Sequence, residues 1–211
     1  MIAVVLSSPA ATGRCARALT RFLRPPMLVT LTGELGTGKT TVVRHALRAL
    51  GVRDVVASPS FTIAQSYEGR CGATLHHLDL YRLAPGNDVA LFAWDDYLTP
   101  EAITFVEWPE AGGSVLPPAD VILHLEHRTR VSRRATVSAT AALESELALK
   151  LAGVGLQVER VPAVSATEES ATEESASAAG ASDRRATDKN ATGESASGES
   201  FSLRDDRARE G

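Results

Sequence analysis

The 211 residues are 44% hydrophobic and carry a net charge of −4 from 22 basic and 26 acidic side chains, which suits one domain with a real core plus an appended segment. The charge is uneven: residues 163–211 hold 11 of the acids and 6 of the bases, so the first 162 residues are near neutral with 15 and 16. This balance excludes a globally basic nucleic-acid binder, though not a local basic patch, and two cysteines without a C-x-x-C pair exclude a disulfide framework.

The first predicted element is a short strand over 2–6. Its five-residue apolar run lacks a basic lead, so it does not read as a signal peptide. No stretch approaches the roughly twenty apolar residues of a membrane span, and a cytoplasmic protein is expected. Ser7 or Ser8 can cap a helix with Pro9 in its first turn, running to about Leu23 before the breaker RPP at 24–26. A buried strand follows over 27–33, then a helix over 39–50 with Gly51 just past its end. FTIAQSYEG (61–69) alternates as a strand, with ATLHHLDLY (73–81) as its antiparallel partner. Residues 87–92 begin a short helix, and AITFVEW (102–108) is a buried strand stopped by Pro109. ADVILHLEH (119–127) and RRATVSAT (133–140) form a hairpin, and 141–153 is a helix. Interleaved strands and helices with antiparallel pairs define an α/β domain with a mixed sheet flanked by helices, over 1–162. Residues 163–211 are rich in Ala, Ser, Thr, Glu and Gly, contain the tandem repeat ATEESATEES, and are expected to be a disordered acidic tail.

LTGELGTGKTT (31–41) carries Gly33, Gly38, Lys39 and Thr40 in the pattern G-x-x-x-x-G-K-[ST], between an apolar strand and a helix. Glycines let the backbone curl so that successive N–H groups face phosphate oxygens, and the helix start adds its positive dipole end. Lys39 suits the β- and γ-phosphates, the Thr40 hydroxyl a Mg²⁺ ion, and Thr41 the α-phosphate. Hydrolysis or transfer then needs a carboxylate at a neighbouring strand end. Glu107 and Asp79 each follow an apolar run and are the candidates. No N-K-x-D string in the required order is present, which favours ATP over GTP. The five histidines have no zinc spacing; His76 and His77 point to opposite faces of a strand and are given structural or surface roles. Arg128, Arg130, Arg133 and Arg134 cluster at the hairpin turn, as a solvated turn or as phosphate contacts.

GELGTGKTT (33–41), SPSFTI (58–63), HLDLYRL (77–83) and VEWPE (106–110), in this order, closely resemble the bacterial TsaE (YjeE) family, over roughly residues 2–153. The resemblance implies a P-loop domain with ATP and Mg²⁺ at Gly36, Thr37, Gly38, Lys39, Thr40 and Thr41. Thr40 and Glu107 match metal-associated positions, and Asp79 a catalytic acid. Residues 58–62 resemble a switch-like segment, with Ser60 and Phe61 where Thr and Tyr are common. Trp108 lies beside the site, and Ser8, Thr12 and Arg133 lie where the family contacts the nucleoside. The family further implies ATP hydrolysis in N6-threonylcarbamoyladenosine modification of tRNA, alongside the TsaB–TsaD pair, in which TsaD transfers the group. Two alternatives stand beside this reading: a small-molecule P-loop kinase, for which no arginine-rich lid is visible, and a nucleotide-dependent scaffold that needs no hydrolysis.

Overall fold

Alternating apolar residues in the central strands need cover on both faces, and that demand shapes the whole sheet. The computed structural model describes residues 1–59, 62–83 and 92–162, all within the unit Met1–Val164. Residues 87–91 of the helix expected over 87–92, residues 60 and 61 of the switch-like segment, and the tail from residue 163 lie outside the described residues.

The strands are β1 (Ile2–Leu6), β2 (Met27–Thr32), β3 (Ala64–Glu68), β4 (Thr74–Asp79), β5 (Ala102–Glu107), β6 (Val121–His127), β7 (Arg133–Ser138) and β8 (Val158–Arg160). They form one sheet in the order β3-β4-β5-β2-β6-β7-β1-β8. The middle is parallel: β4 with β5, β5 with β2, and β2 with β6. Both flanks are antiparallel, β3 with β4 on one side and β6-β7-β1-β8 on the other. The mixed α/β architecture expected from the sequence is therefore present.

Three α-helices occur among the described residues: α1 (Pro9–Leu19), α2 (Lys39–Ala49) and α3 (Ala141–Gly153). Ser8 caps α1 by accepting from the Ala11 N–H, and Thr140 caps α3 by accepting from the Leu143 N–H. The three helices share one core with one sheet face, built around Val29 and Leu31 of β2, Phe105 of β5, Leu123 of β6 and Leu147 and Leu151 of α3. A smaller cluster on the other face gathers Leu28, Leu78, Leu80, Trp94 and Val106 under irregular segments. Cys15 sits in the main core, where burial pushes its thiol up to about 12, so it behaves as a small apolar residue.

Several boundaries differ from the sequence reading. α1 ends at Leu19 and not near Leu23, because the Thr20 hydroxyl donates back to the Arg17 carbonyl and the Phe22 N–H turns to Leu19. β3 starts at Ala64: the N–H groups of Thr62 and Ile63 both fold back on the Pro59 carbonyl, and Ile63 takes φ 65°. The helix over 39–50 ends at Ala49, and the second hairpin strand at Ser138. β8 was not foreseen; it pairs Val4 with Val158 and Ala3 with Glu159. Leu151 is fully buried, so Leu151→Ala should cost about 3 kcal/mol through transfer and cavity terms. A urea melt measures this, and a midpoint within error of the parent would mean that α3 is not part of the cooperative core.

Candidate functional site

Parallel strands end together, so their carboxyl ends and the start of the helix that follows β2 must share one cleft. The turn after β2 rises over β6 through Gly33, which takes φ 121°; a Cβ there would stand 2.0 Å from the Leu125 carbonyl oxygen. Only glycine fits a backbone this close to another. Gly36 and Gly38 also take positive φ, at 79° and 101°. Gly38 begins α2 with no side-chain cap, so the N–H groups of the first helical turn face the cleft without a side-chain acceptor. Thr37 closes the loop internally, its hydroxyl donating to the Glu34 carbonyl at 2.8 Å.

Lys39 is 4% exposed. Its ammonium donates to the carbonyls of Gly33 at 2.5 Å and Glu34 at 2.9 Å, and lies 3.6 Å from the centre of the Trp108 ring. Burial pulls its pKa below the usual lysine value, while Glu107, Glu110 and Asp79 resist that shift. Trp108 follows directly after β5 with φ 59°, a left-handed turn that swings its ring over Lys39 and against Tyr81.

Asp79 and Glu107 are register partners at the ends of β4 and β5. They point to the face that α2 covers, together with Leu75 and Phe105. Glu107 is 2% exposed and is held at both oxygens. The Thr40 hydroxyl donates to Oε2 at 2.8 Å, and His77 Nε2 meets Oε1 at 2.8 Å. Asp79 accepts from the Ser58 hydroxyl and the Tyr81 N–H, both at 3.2 Å. Thr40, Asp79, Glu107, Lys39, Trp108 and Ser58 thus line one cavity of about 360 Å³.

A second cavity of about 210 Å³ adjoins it across Gly36, Gly38 and Thr41. Ser8, Thr12, Thr37, Val131 and Arg133 line this side. The Ser8 and Thr12 hydroxyls are engaged in the first turn of α1, so these residues offer shape and the helix start more than free hydroxyls. Arg133 reaches the Gly36 carbonyl at 3.5 Å and brings β7 to the loop. Its neighbours diverge: Arg134 pairs with Glu126 and Glu159, and Arg128 and Arg130 are exposed.

The sequence points to a structural or surface role for His77; it is fully buried and holds Glu107 at the site. The readable signal was its spacing: two residues before Asp79 on a strand means the same face. His76, on the other face, bonds the Ser66 hydroxyl. The hard oxygen donors of Thr40 and Glu107, touching each other beside a phosphate-type loop, suit Mg²⁺, which takes few protein ligands and the rest from phosphate and water. Among the described residues no cluster of three His, Cys, Asp or Glu offers a protein-only metal cage.

Glycine-rich loop, buried lysine, threonine and strand-end carboxylates on a mixed sheet define a P-loop protein. The family model described as "Threonylcarbamoyl adenosine biosynthesis protein TsaE" matches residues 6–135, and the chain belongs to that family. The tRNA threonylcarbamoyladenosine biosynthesis protein TsaE of Haemophilus influenzae is 36% identical over 48% of this chain and 63% of its own length. The protein of the same name from Treponema pallidum is 32% identical over 60% of this chain and 93% of its own. A crystal structure of YdiB from Bacillus subtilis superposes with a TM-score of 0.58 at 25% identity, covering 73% of this chain and 97% of that one.

His77→Phe would leave Glu107 with one neutral donor in a buried setting. We expect a loss of about 2 kcal/mol, and a double-mutant cycle with Glu107→Gln that is non-additive by at least about 1 kcal/mol. Urea midpoints of the four proteins measure it; additive losses would show that the two side chains do not act as a pair.

Proposed function

We propose that this protein binds ATP with Mg²⁺ and hydrolyses it in support of N6-threonylcarbamoyladenosine modification of tRNA. The observation that carries the reading is the meeting of Thr40, Glu107 and Asp79 beside the phosphate-type loop. Family membership and the names of the relatives support the tRNA context. The partners in this reading are the homologues of TsaB and TsaD that the resemblance implies, with the group transfer left to TsaD, and the action is proposed to be cytoplasmic.

In this reading the loop N–H groups from Gly36 to Thr41 and the start of α2 hold the phosphates. Lys39 exchanges neutral carbonyl acceptors for phosphate oxygens. Thr40 and Glu107 would hold the metal, which when bound neutralises charge on the phosphates. Asp79 orients the attacking water, because its carboxylate lines the same cavity as Thr40 and Glu107. Ser8, Thr12 and Arg133 bound the nucleoside side, and Trp108 packs over the lysine as a lid on its charge.

Titration calorimetry and phosphate release by the full chain, with and without TsaB–TsaD homologues, test the proposal. Asp79→Asn and Glu107→Gln should each lower turnover by at least about 100-fold while ATP affinity changes only a few-fold. Thr40→Ala should remove most of the Mg²⁺ dependence of ATP affinity. Parent-like turnover in both carboxylate variants would reject hydrolysis at this site, and normal tRNA modification in cells carrying them would favour a scaffold.

A further inference from the structure

The phosphate-type loop occupies one end of α1 and α2. The opposite end is a basic groove that the nucleotide reading does not use. Arg17, Arg21, Arg48 and Arg70 line a cavity of about 670 Å³ together with His45. No acidic residue lines it. A second cavity, of about 300 Å³, shares Arg17 and Arg21 and adds Arg14 and Lys150. The two form one continuous strip across α1.

The sequence spacing creates this strip. Arg14 and Arg17 lie three residues apart on one face of α1, and Arg21 extends that side from the turn just past the helix end. Gly13 lets α2 approach closely: a Cβ there would stand 3.2 Å from the His45 ring and 3.3 Å from the Arg17 guanidinium. Arg70 is brought in from the β3–β4 turn, where its N–H donates to the Leu50 carbonyl. Arg17, Arg21, Arg48 and Arg70 are all exposed.

The local charge is not balanced. Among the described residues none of these arginines makes an ion pair, and the buried Nε of Arg14 has no acceptor. The C-terminal ends of α1 and α2 both open here, at Thr20 and Leu50. Each contributes about half a negative charge, against four guanidinium groups, so a net excess of roughly three positive charges remains. His45 registers it: burial lowers its pKa first, and Arg17, Arg48 and Arg44 lower it further, with no carboxylate opposing them.

We propose that this groove binds the phosphodiester backbone of a nucleic acid strand, at a site separate from the nucleotide cleft. The inference rests on the groove's own residues and not on the ATPase reading. Arg14 and Arg17 on α1, Arg21 in the turn beyond it, and Arg48 and Arg70 present positive charge at several separate points, which a repeating anion can meet and a single phosphate cannot. Arginine forks match phosphate oxygens in a bidentate manner. No Phe, Tyr or Trp lines either cavity, and the one imidazole, His45, packs against Gly13 of α1, so the contact follows the backbone more than the bases. The eleven residues of α2 put the groove about 16 Å from the phosphate loop, far enough for both ligands to bind together.

The test is fluorescence anisotropy of the full 211-residue chain with labelled RNA and DNA hairpins of one sequence, across a salt series. The parent should bind, with affinity falling steeply in salt. Arg17→Glu/Arg21→Glu/Arg48→Glu should weaken binding more than tenfold and flatten the salt slope by about one per arginine. ATP affinity and the thermal midpoint should stay within error of the parent. Equal RNA and DNA binding would assign the backbone alone, and RNA preference would assign a 2′-hydroxyl contact; both support the site. No binding by the parent at low salt would overturn the proposal. So would an equal loss in Arg128→Glu/Arg130→Glu, at the distant hairpin turn, or displacement by polyglutamate as effective as by unlabelled hairpin at equal charge.

Discussion

A carboxylate 2% exposed to solvent can exist in its charged form only if the protein replaces the water it lost. Glu107 meets that constraint with one donor from each of two elements: Thr40 from the first turn of α2, and His77 from β4. The three residues are far apart in sequence, so the carboxylate acts as a local clamp. It fixes the height of α2 above the strand ends and the position of β5 between β4 and β2. The same clamp sets where a metal-type donor pair can form, because Thr40 and Glu107 already point at each other.

Backbone geometry enforces the rest of the cleft. Gly33 passes so close to Leu125 that the loop is pinned to β6. Trp108 turns left-handed immediately after Glu107, its N–H donating to the Leu31 carbonyl, so β5 stays tied to β2 where the phosphate-type loop departs. A bulky residue at φ 59° is uncommon and is retained where the surroundings determine it. Here the return is the ring over Lys39, which shields the ammonium from water on one side.

Much of this was legible in the sequence, for identifiable reasons. Apolar runs such as 27–32 and 102–107 mark buried parallel strands without reference to the rest of the chain. The loop glycines and Lys39 follow a spacing tied to phosphate chemistry, and Asp79 and Glu107 stand out as acids ending apolar runs. What depended on register was hidden. The spacing of His77 from Asp79 marks a shared strand face, but its partner Glu107 is known only once β4 lies beside β5. β8 has a single apolar residue in VER, too little to announce a strand, and exists because β1 offers an edge to pair. The end of α1 was misplaced because Phe22 and Leu23 continue an apolar pattern that the chain satisfies in a turn. The arginine strip was equally invisible, since it is assembled by the parallel packing of α1 on α2.

That packing gives the two ends of the helix pair opposite electrostatic problems. At the N-terminal end, the N–H groups of the first turn of α2 and the buried Lys39 face a cleft that also holds Asp79 and Glu107, where partial exclusion of water strengthens each interaction. Lys39 donates there to two carbonyls and a ring face, and burial lowers its pKa despite the opposing charges of Glu107, Glu110 and Asp79. At the C-terminal end the backbone is negative, and exposed arginines overcompensate it in open solvent. Potential of the first kind is held by a few buried groups and resists salt; potential of the second kind is spread over exposed side chains and is screened within about 10 Å at 0.1 M salt. The fold therefore separates a small, rigid anion site from a broad, salt-sensitive one with a single helix layer, and the difference in screening is what would let each respond to a different class of phosphate ligand.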